Sequence, residues 1–182
     1  MRSVQELTAA VAAGERVKYL KFWGHRPRAD GRIGASCLSQ WWPAAFDLDG
    51  RTFPTAEHYM MWRKATLFGA AEVAEQVLAA GHPKQAKDLG RTVPGFDEAI
   101  WDEHRYAVVV AGSTAKFGAH PELRAYLLGT ADRVLVEASP VDRVWGIGLA
   151  ADDPRSDDPA SWRGLNLLGF ALMAARAALR HR

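Results

Sequence analysis

Apolar positions recur at three- and four-residue spacing over most of the chain and alternate in only a few short stretches, which predicts a mainly helical α+β fold with a few short strands. The first helix falls in "SVQELTAAVAAG", residues 3–13, with Ser3 as N-cap, Glu6 in the first turn and Gly14 as the stop. "RVKYLKFW" alternates as a strand and "GHRPRADGRIG" is a loop. "CLSQWWPAAFDLDGRTF" reads as a short strand, a second strand "AAFDL", a turn at Asp49 and Gly50, and a return strand "RTF". Thr55 then caps a helix over "AEHYMMWRKATLF". Further helices are expected in "GAAEVAEQVLAAG", in "HPKQAKDLGR" with Pro83 in its first turn, in the long "FDEAIWDEHRYAVVVAGSTAKFG", in "HPELRAYLLGT" and in "LNLLGFALMAARAALRHR". "DRVLVEAS" alternates as a last strand. Two connections exceed the usual length, residues 24–36 and 149–163; the second, rich in Asp and Pro, is expected to be a solvated flap.

One helix breaks its own pattern. Glu57 and Lys64 are seven positions apart, so at about 100° per residue they fall within roughly 20° of each other, in the sector that also holds Met61 and Phe68. A glutamate and a lysine in the middle of an apolar stripe contradict ordinary amphipathic patterning. Either that face lines a pocket or the two charges are buried together. Partial burial raises a glutamate pKa and lowers a lysine pKa, bringing both toward the range of acid–base or nucleophilic work. His58, beside Glu57, has no second histidine near it and reads as a packing residue.

Composition narrows the classes. With 182 residues and 48% hydrophobic content the chain can close one core, and a single domain over 1–182 is expected. Twenty-three basic against 21 acidic residues leave a formal charge of +2, so no whole-molecule field draws it to nucleic acid or membrane. The single cysteine, Cys37, excludes an internal disulfide and any multi-cysteine metal site. No apolar stretch is long enough to span a bilayer and the N-terminus lacks a signal-peptide core, so a cytoplasmic protein without a membrane partner is expected. No Ser-His-Asp order, Walker loop, HExxH or paired CxxC is present, and no set of metal ligands or cofactor fingerprint stands out.

Other constellations carry chemistry. Lys84, Lys87 and Arg91 stand at spacings of three and four and share a helix face, either a phosphate contact or a solvated basic face. In "SPVDRVWGIGL" the glycines Gly146 and Gly148 let backbone approach a flat ligand on which Trp145 stacks. Asn166 opens the last helix, where its ordinary role is N-cap. Trp23, Trp41 and Trp42, in a region punctuated by glycine and proline, suggest a stacking surface.

Five blocks in order, "LSQWWPAAFDLDGRTFPTAEHYMMWRKA", "PKQAKDLGR", "WDEHRYAVVVAGSTAKF", "ASPVDRVWGIGL" and "WRGLNLLGFALMAAR", resemble the NADAR, or YbiA-like, family from about residue 22 to 176, leaving the N-terminal helix outside. The resemblance implies a compact, mostly helical α+β fold and hydrolysis of a ribose C–N bond. It implies Glu57 as the catalytic carboxylate faced by Asp142 and Trp145, with Trp101 and Asn166 shaping the pocket. In that scheme Lys64 holds ribose hydroxyls or forms a Schiff base with an opened ribose, Trp41 or Trp42 joins Trp145 on the base, and Lys84, Lys87 and Arg91 meet phosphates. The leading expectation is removal of ADP-ribose from guanine in nucleic acid or nucleotide, with a cognate ADP-ribosyltransferase toxin as a possible partner. The alternatives are a phosphoribosylamine intermediate of riboflavin biosynthesis and, in another class, a non-catalytic NAD or ADP-ribose binding module. No metal or cofactor is implied. Where many members read Ser-Asn-Phe-Tyr-Pro, this chain has Ser39, Gln40, Trp41, Trp42 and Pro43.

Overall fold

A computed structural model describes residues 2–181. Its elements run α1 (Val4–Ala12), β1 (Tyr19–Phe22), β2 (Phe46–Leu48), β3 (Arg51–Phe53), α2 (Ala56–Leu67), α3 (Ala71–Ala79), α4 (Pro83–Gly90), α5 (Glu98–Ala119), α6 (Pro121–Gly129), β4 (Val134–Glu137) and α7 (Leu167–Arg180). This is the expected α+β fold. Ser3 and Thr55 cap α1 and α2 through their side chains. Asp49 and Gly50 both take positive φ, 51° and 72°, the geometry a two-residue hairpin turn requires, and β2 pairs antiparallel with β3. Among the described residues no helix is long and apolar enough to cross a membrane.

Two expectations need correction. The strand expected at the start of "CLSQWW" does not form: Cys37 and Leu38 end a short 3-10 turn, Ala35–Leu38, that folds both into the core, and Ser39 and Gln40 follow it outside any strand. The segment 149–163 carries mostly exposed charged residues, as expected, but it is no free flap, because Ser156 and Asp157 tie it to Lys21 of β1. Two short turns, Pro154–Asp157 and Pro159–Ser161, pin it; Ser156 is fully buried and takes a hydrogen bond from Lys21 at 2.6 Å, and the Trp162 indole donates to the Ser156 carbonyl.

Pairing of the remaining strands is not local. β1 runs parallel to β4, with Phe22 opposite Glu137, so residues more than a hundred positions apart end side by side. Val134, Leu135 and Val136 are all buried: α7 packs on β4 and the N-terminal region covers the rest. A strand covered on both faces reads as a continuous apolar run, and this one stays apolar until it reaches Glu137. The long helix α5 packs against both α7 and α2, and its Gly112 gives the Tyr59 ring its space. α2 also packs against α4, where a Cβ on Gly90 would run into the Met61 sulfur. That contact brings the basic face of α4 over the odd face of α2.

Candidate active site

Glu57 lies in the first turn of α2, positioned by its N–H donating to the Gln40 carbonyl at 3.0 Å. His58, fully buried, anchors the same turn. Its Nδ1 meets the Thr55 hydroxyl at 2.8 Å and its Nε2 the Ala80 carbonyl at 3.0 Å, so it is a packing residue that ties α2 to the end of α3. From this base the apolar stripe of α2, with Met60, Met61 and Lys64, forms one wall of a cavity of about 200 Å³. Lys87, Gly90 and Arg91 close a second side, Ser39, Gln40 and Trp41 a third, and Glu137, Asp142, Trp145 and Leu168 the fourth. The pocket-lining alternative for the Glu57 and Lys64 face is the one observed.

Three carboxyl groups therefore meet in one cavity: Glu57 is buried, and Glu137 is half-buried with its Oε2 enclosed. Burial pushes Glu57 up to about 7; Lys87, a hydrogen bond from Trp41 and Arg91 oppose the rise, and the Asp142 charge adds to it. Glu137 is pushed up to about 8, again by burial first, then by Asp142 and Glu57. Glu57 Oε1, Glu137 Oε2 and the Gln40 amide nitrogen are buried without a hydrogen-bond partner among the described residues. Buried polar atoms are nearly always bonded. Three orphans on one cavity mark it as a place where a ligand supplies the missing bonds.

Lys64 projects its amine to the Gly90 carbonyl at 2.8 Å and over the Phe96 ring at 3.9 Å. Burial, then the Arg91 charge, lowers its pKa, as its position on the apolar face implied. Asp142 accepts two backbone bonds at one oxygen, from Val144 at 2.9 Å and Trp145 at 2.8 Å, and so sets the turn that presents Trp145. Lys87 and Arg91 line the cavity. Lys84 does not: although it shares their helix face, it stands about a turn or more before them along the axis and its amine pairs with Asp88 at 2.7 Å on the outer surface.

Four other expected site residues lie behind the lining. Trp42 is buried and turned to the opposite side of its loop, beside His120 and Pro121. Trp101 is packed in the core at the start of α5. Gly146 sits beneath the 142–145 turn, where a Cβ would lie 2.8 Å from the Glu137 carbonyl. Asn166 caps nothing with its side chain. It takes a left-handed backbone, φ 52°, and its amide bridges β4, accepting from the Glu137 N–H at 3.0 Å and donating to the Leu135 carbonyl at 2.9 Å. Asn166 thereby holds Glu137 in place from behind.

Sequence reasoning missed Glu137 in the cavity lining and Lys116 behind it. The signal for Glu137 was a lone carboxylate closing an apolar strand. Lys116, on α5, is 1% exposed and donates to the carbonyls of Cys37 at 2.7 Å and Ser39 at 2.8 Å, clamping the segment that carries Gln40 and Trp41. Burial pushes it down to about 7, while the two carbonyl acceptors favour its ammonium form.

Fold and site together define a small α+β scaffold that buries carboxyl groups beside cations in a cavity below the ~300 Å³ of common ligand pockets. The chain belongs to the NADAR family, whose domain model matches residues 21–180. It is 38% identical over 167 residues to N-glycosidase R617 of Acanthamoeba polyphaga mimivirus, covering 89% of this chain and 96% of that protein. N-glycosidase YbiA of Escherichia coli is 33% identical over 138 residues, 76% of each chain, and its NMR structure superposes with a TM-score of 0.71 over 92% of this chain and 88% of that one, at 28% identity. The chloroplastic riboflavin biosynthesis protein PYRR of Zea mays is 34% identical over 135 residues, 70% of this chain and 20% of that protein.

Proposed function

We infer that this protein is an N-glycosidase, a hydrolase of N-glycosyl bonds, and that its substrate is ADP-ribose linked to guanine. The observation that carries the reading is the meeting of Glu57, Glu137 and Asp142 with Lys87 and Arg91 around one cavity. Breaking a ribose C–N bond needs an acid for the leaving nitrogen and a carboxylate that activates water or steadies an oxocarbenium-like carbon. Glu137, held at about 8, keeps its proton at neutral pH and serves as the acid. Glu57, at about 7, is the carboxylate on the ribose side; it lines the cavity, and its buried Oε1 has no hydrogen-bond partner among the described residues. As the C–N bond lengthens, the Glu137 proton passes to nitrogen while Glu57 takes one from the attacking water, whose oxygen bonds the anomeric carbon, and ADP-ribose and the free guanine amine result. Lys87 and Arg91 sit where the phosphates of an ADP-ribose enter.

Lys64 lines the ribose side, and its bond to Gly90 suits a positioning role. Borohydride added during turnover separates the two uses of this amine: a reduced covalent adduct on Lys64 marks a Schiff base, and its absence leaves positioning.

The similarity to PYRR favours a second reading, a phosphoribosylamine intermediate of riboflavin biosynthesis. Incubation of the purified protein with an oligonucleotide carrying ADP-ribosylated guanine and with that ribosylamine decides between them. Release of ADP-ribose from the first supports the leading reading. Turnover of the second alone supports the other. Tight ADP-ribose binding without turnover of either, unchanged by Glu57→Gln, assigns the protein to the binding modules.

A further inference from the structure

We infer that the protein binds its substrate in two compartments, and that the outer one is a stacking site for a flat heteroaromatic aglycone with Trp23 as its platform. The inference rests on the N-glycosidase reading and adds to it where the leaving ring goes.

The inner cavity, about 200 Å³, is below the range that houses a drug-sized ligand, so a ribose fills it and an attached ring must lie elsewhere. An adjoining cleft of about 360 Å³ is the place. The two share one wall, made of Ser39, Trp41, Lys87, Glu137 and Asp142, and the outer cleft adds Trp23, His25, Ser139 and Val141. Glu57 lines only the inner compartment, whereas Glu137 belongs to both. A C–N bond crossing the shared wall therefore puts its carbon beside Glu57 and its nitrogen beside Glu137, the order that the chemistry needs.

The outer surface is built for a ring. Trp23 follows β1 and Val141 follows β4, at the same end of the parallel pair, joined there by the Ala138 N–H donating to the Phe22 carbonyl at 2.9 Å. Ligands of parallel strands gather beyond their carboxyl ends. Trp23 is 61% exposed and Val141 86%, while His25 packs on Trp41 with ring centroids 5.5 Å apart. A single exposed apolar side chain means little, but an indole, an imidazole and a second indole gathered at the mouth of an acid-lined cavity offer aromatic faces to a base. The Lys87 amine, 5.9 Å from the Trp41 ring centroid, adds a cation to the same wall.

The test compares the native protein with Trp23→Ala and Trp23→Phe on two substrates, the guanine-linked ADP-ribose oligonucleotide and the phosphoribosylamine intermediate, with free ribose 5-phosphate as a competitive inhibitor that has no aromatic ring. Trp23→Ala is expected to raise KM roughly five- to 150-fold on whichever substrate turns over, with kcat nearly unchanged. Trp23→Phe keeps most of the native KM, and inhibition by ribose 5-phosphate is the same in all three. An unchanged KM in Trp23→Ala overturns the outer site, as does an equal loss of ribose 5-phosphate inhibition. If the native protein turns over neither substrate, the N-glycosidase reading fails, and quenching of tryptophan fluorescence by guanosine decides the site alone. Quenching lost in Trp23→Ala and kept in Trp23→Phe supports it; no quenching of the native protein overturns it.

Discussion

Glu57 and Glu137 are chemically the same group, and their surroundings set their proton affinities apart. Burial raises both, but Lys87, Trp41 and Arg91 hold Glu57 lower, while Glu137 feels two neighbouring acids. In the mechanism above, activity requires one deprotonated and one protonated carboxyl group, so the pH–rate curve rises through about 7 and falls through about 8. Glu57→Gln is expected to lower kcat by about 10²–10⁴, and Glu137→Gln to lower it similarly while abolishing the alkaline fall. A pH series of steady-state rates on the three proteins checks both outcomes. Gln40, which lines the cavity, has a buried amide nitrogen without a partner among the described residues, on a side chain one methylene longer than the asparagine of the commoner motif.

Elements earn their place here by what they hold still. Lys116→Met strands two carbonyls that the ammonium now satisfies, and is expected to cost about 2–4 kcal/mol in urea denaturation and to speed amide exchange in residues 37–42. Asn166→Ala removes both bonds to β4 and puts a Cβ-bearing residue without a local polar group at φ 52°, for a loss of about 2–4 kcal/mol. Asn166→Gly relieves the backbone and isolates the hydrogen-bonding share. What sequence could see of these elements was local: Thr55 bonding three residues on, the Asp49-Gly50 turn, and the seven-residue return of Glu57 to Lys64 on one face. A cap or a turn is decided by its neighbours in the chain. Asn166 looked like a cap for the same reason, since nothing adjacent to it announces that β4 lies within reach of its amide.

Across the whole molecule the parallel contact of β1 with β4 was the illegible step, and the site depends on it. Half of the cavity, α2 and α4 with Glu57, Lys64, Lys87 and Arg91, could be read from helix faces. The other half, Glu137 beside Asp142 and opposite Glu57, exists only because strands separated by over a hundred residues pair. Burying these carboxyl groups also makes stability depend on pH. A carboxyl group whose folded pKa is raised contributes its full stability below the unfolded value of about 4.5 and loses it as pH rises through the folded value, here about 7 and about 8. Native protein is therefore expected to lose on the order of 3 kcal/mol between pH 5 and 8 relative to Glu137→Gln. His58, buried with a lowered pKa, works in the opposite direction below about 6.5 and is common to both proteins. Urea midpoints of the two across this range measure the difference.

The pairing of β1 with β4 has a further consequence in time. Until β4 docks, Glu137 is an ordinary hydrated carboxylate, and Glu57 lacks one wall of its enclosure. Closing a loop of this span is a late and slow event in folding. The proton that Glu137 acquires on burial must come from the solvent in that same step. Refolding at pH 6 in dilute buffer with an indicator dye is expected to show a slow phase of proton uptake that is smaller in Glu137→Gln, and catalytic activity is expected to appear with that phase and not before it.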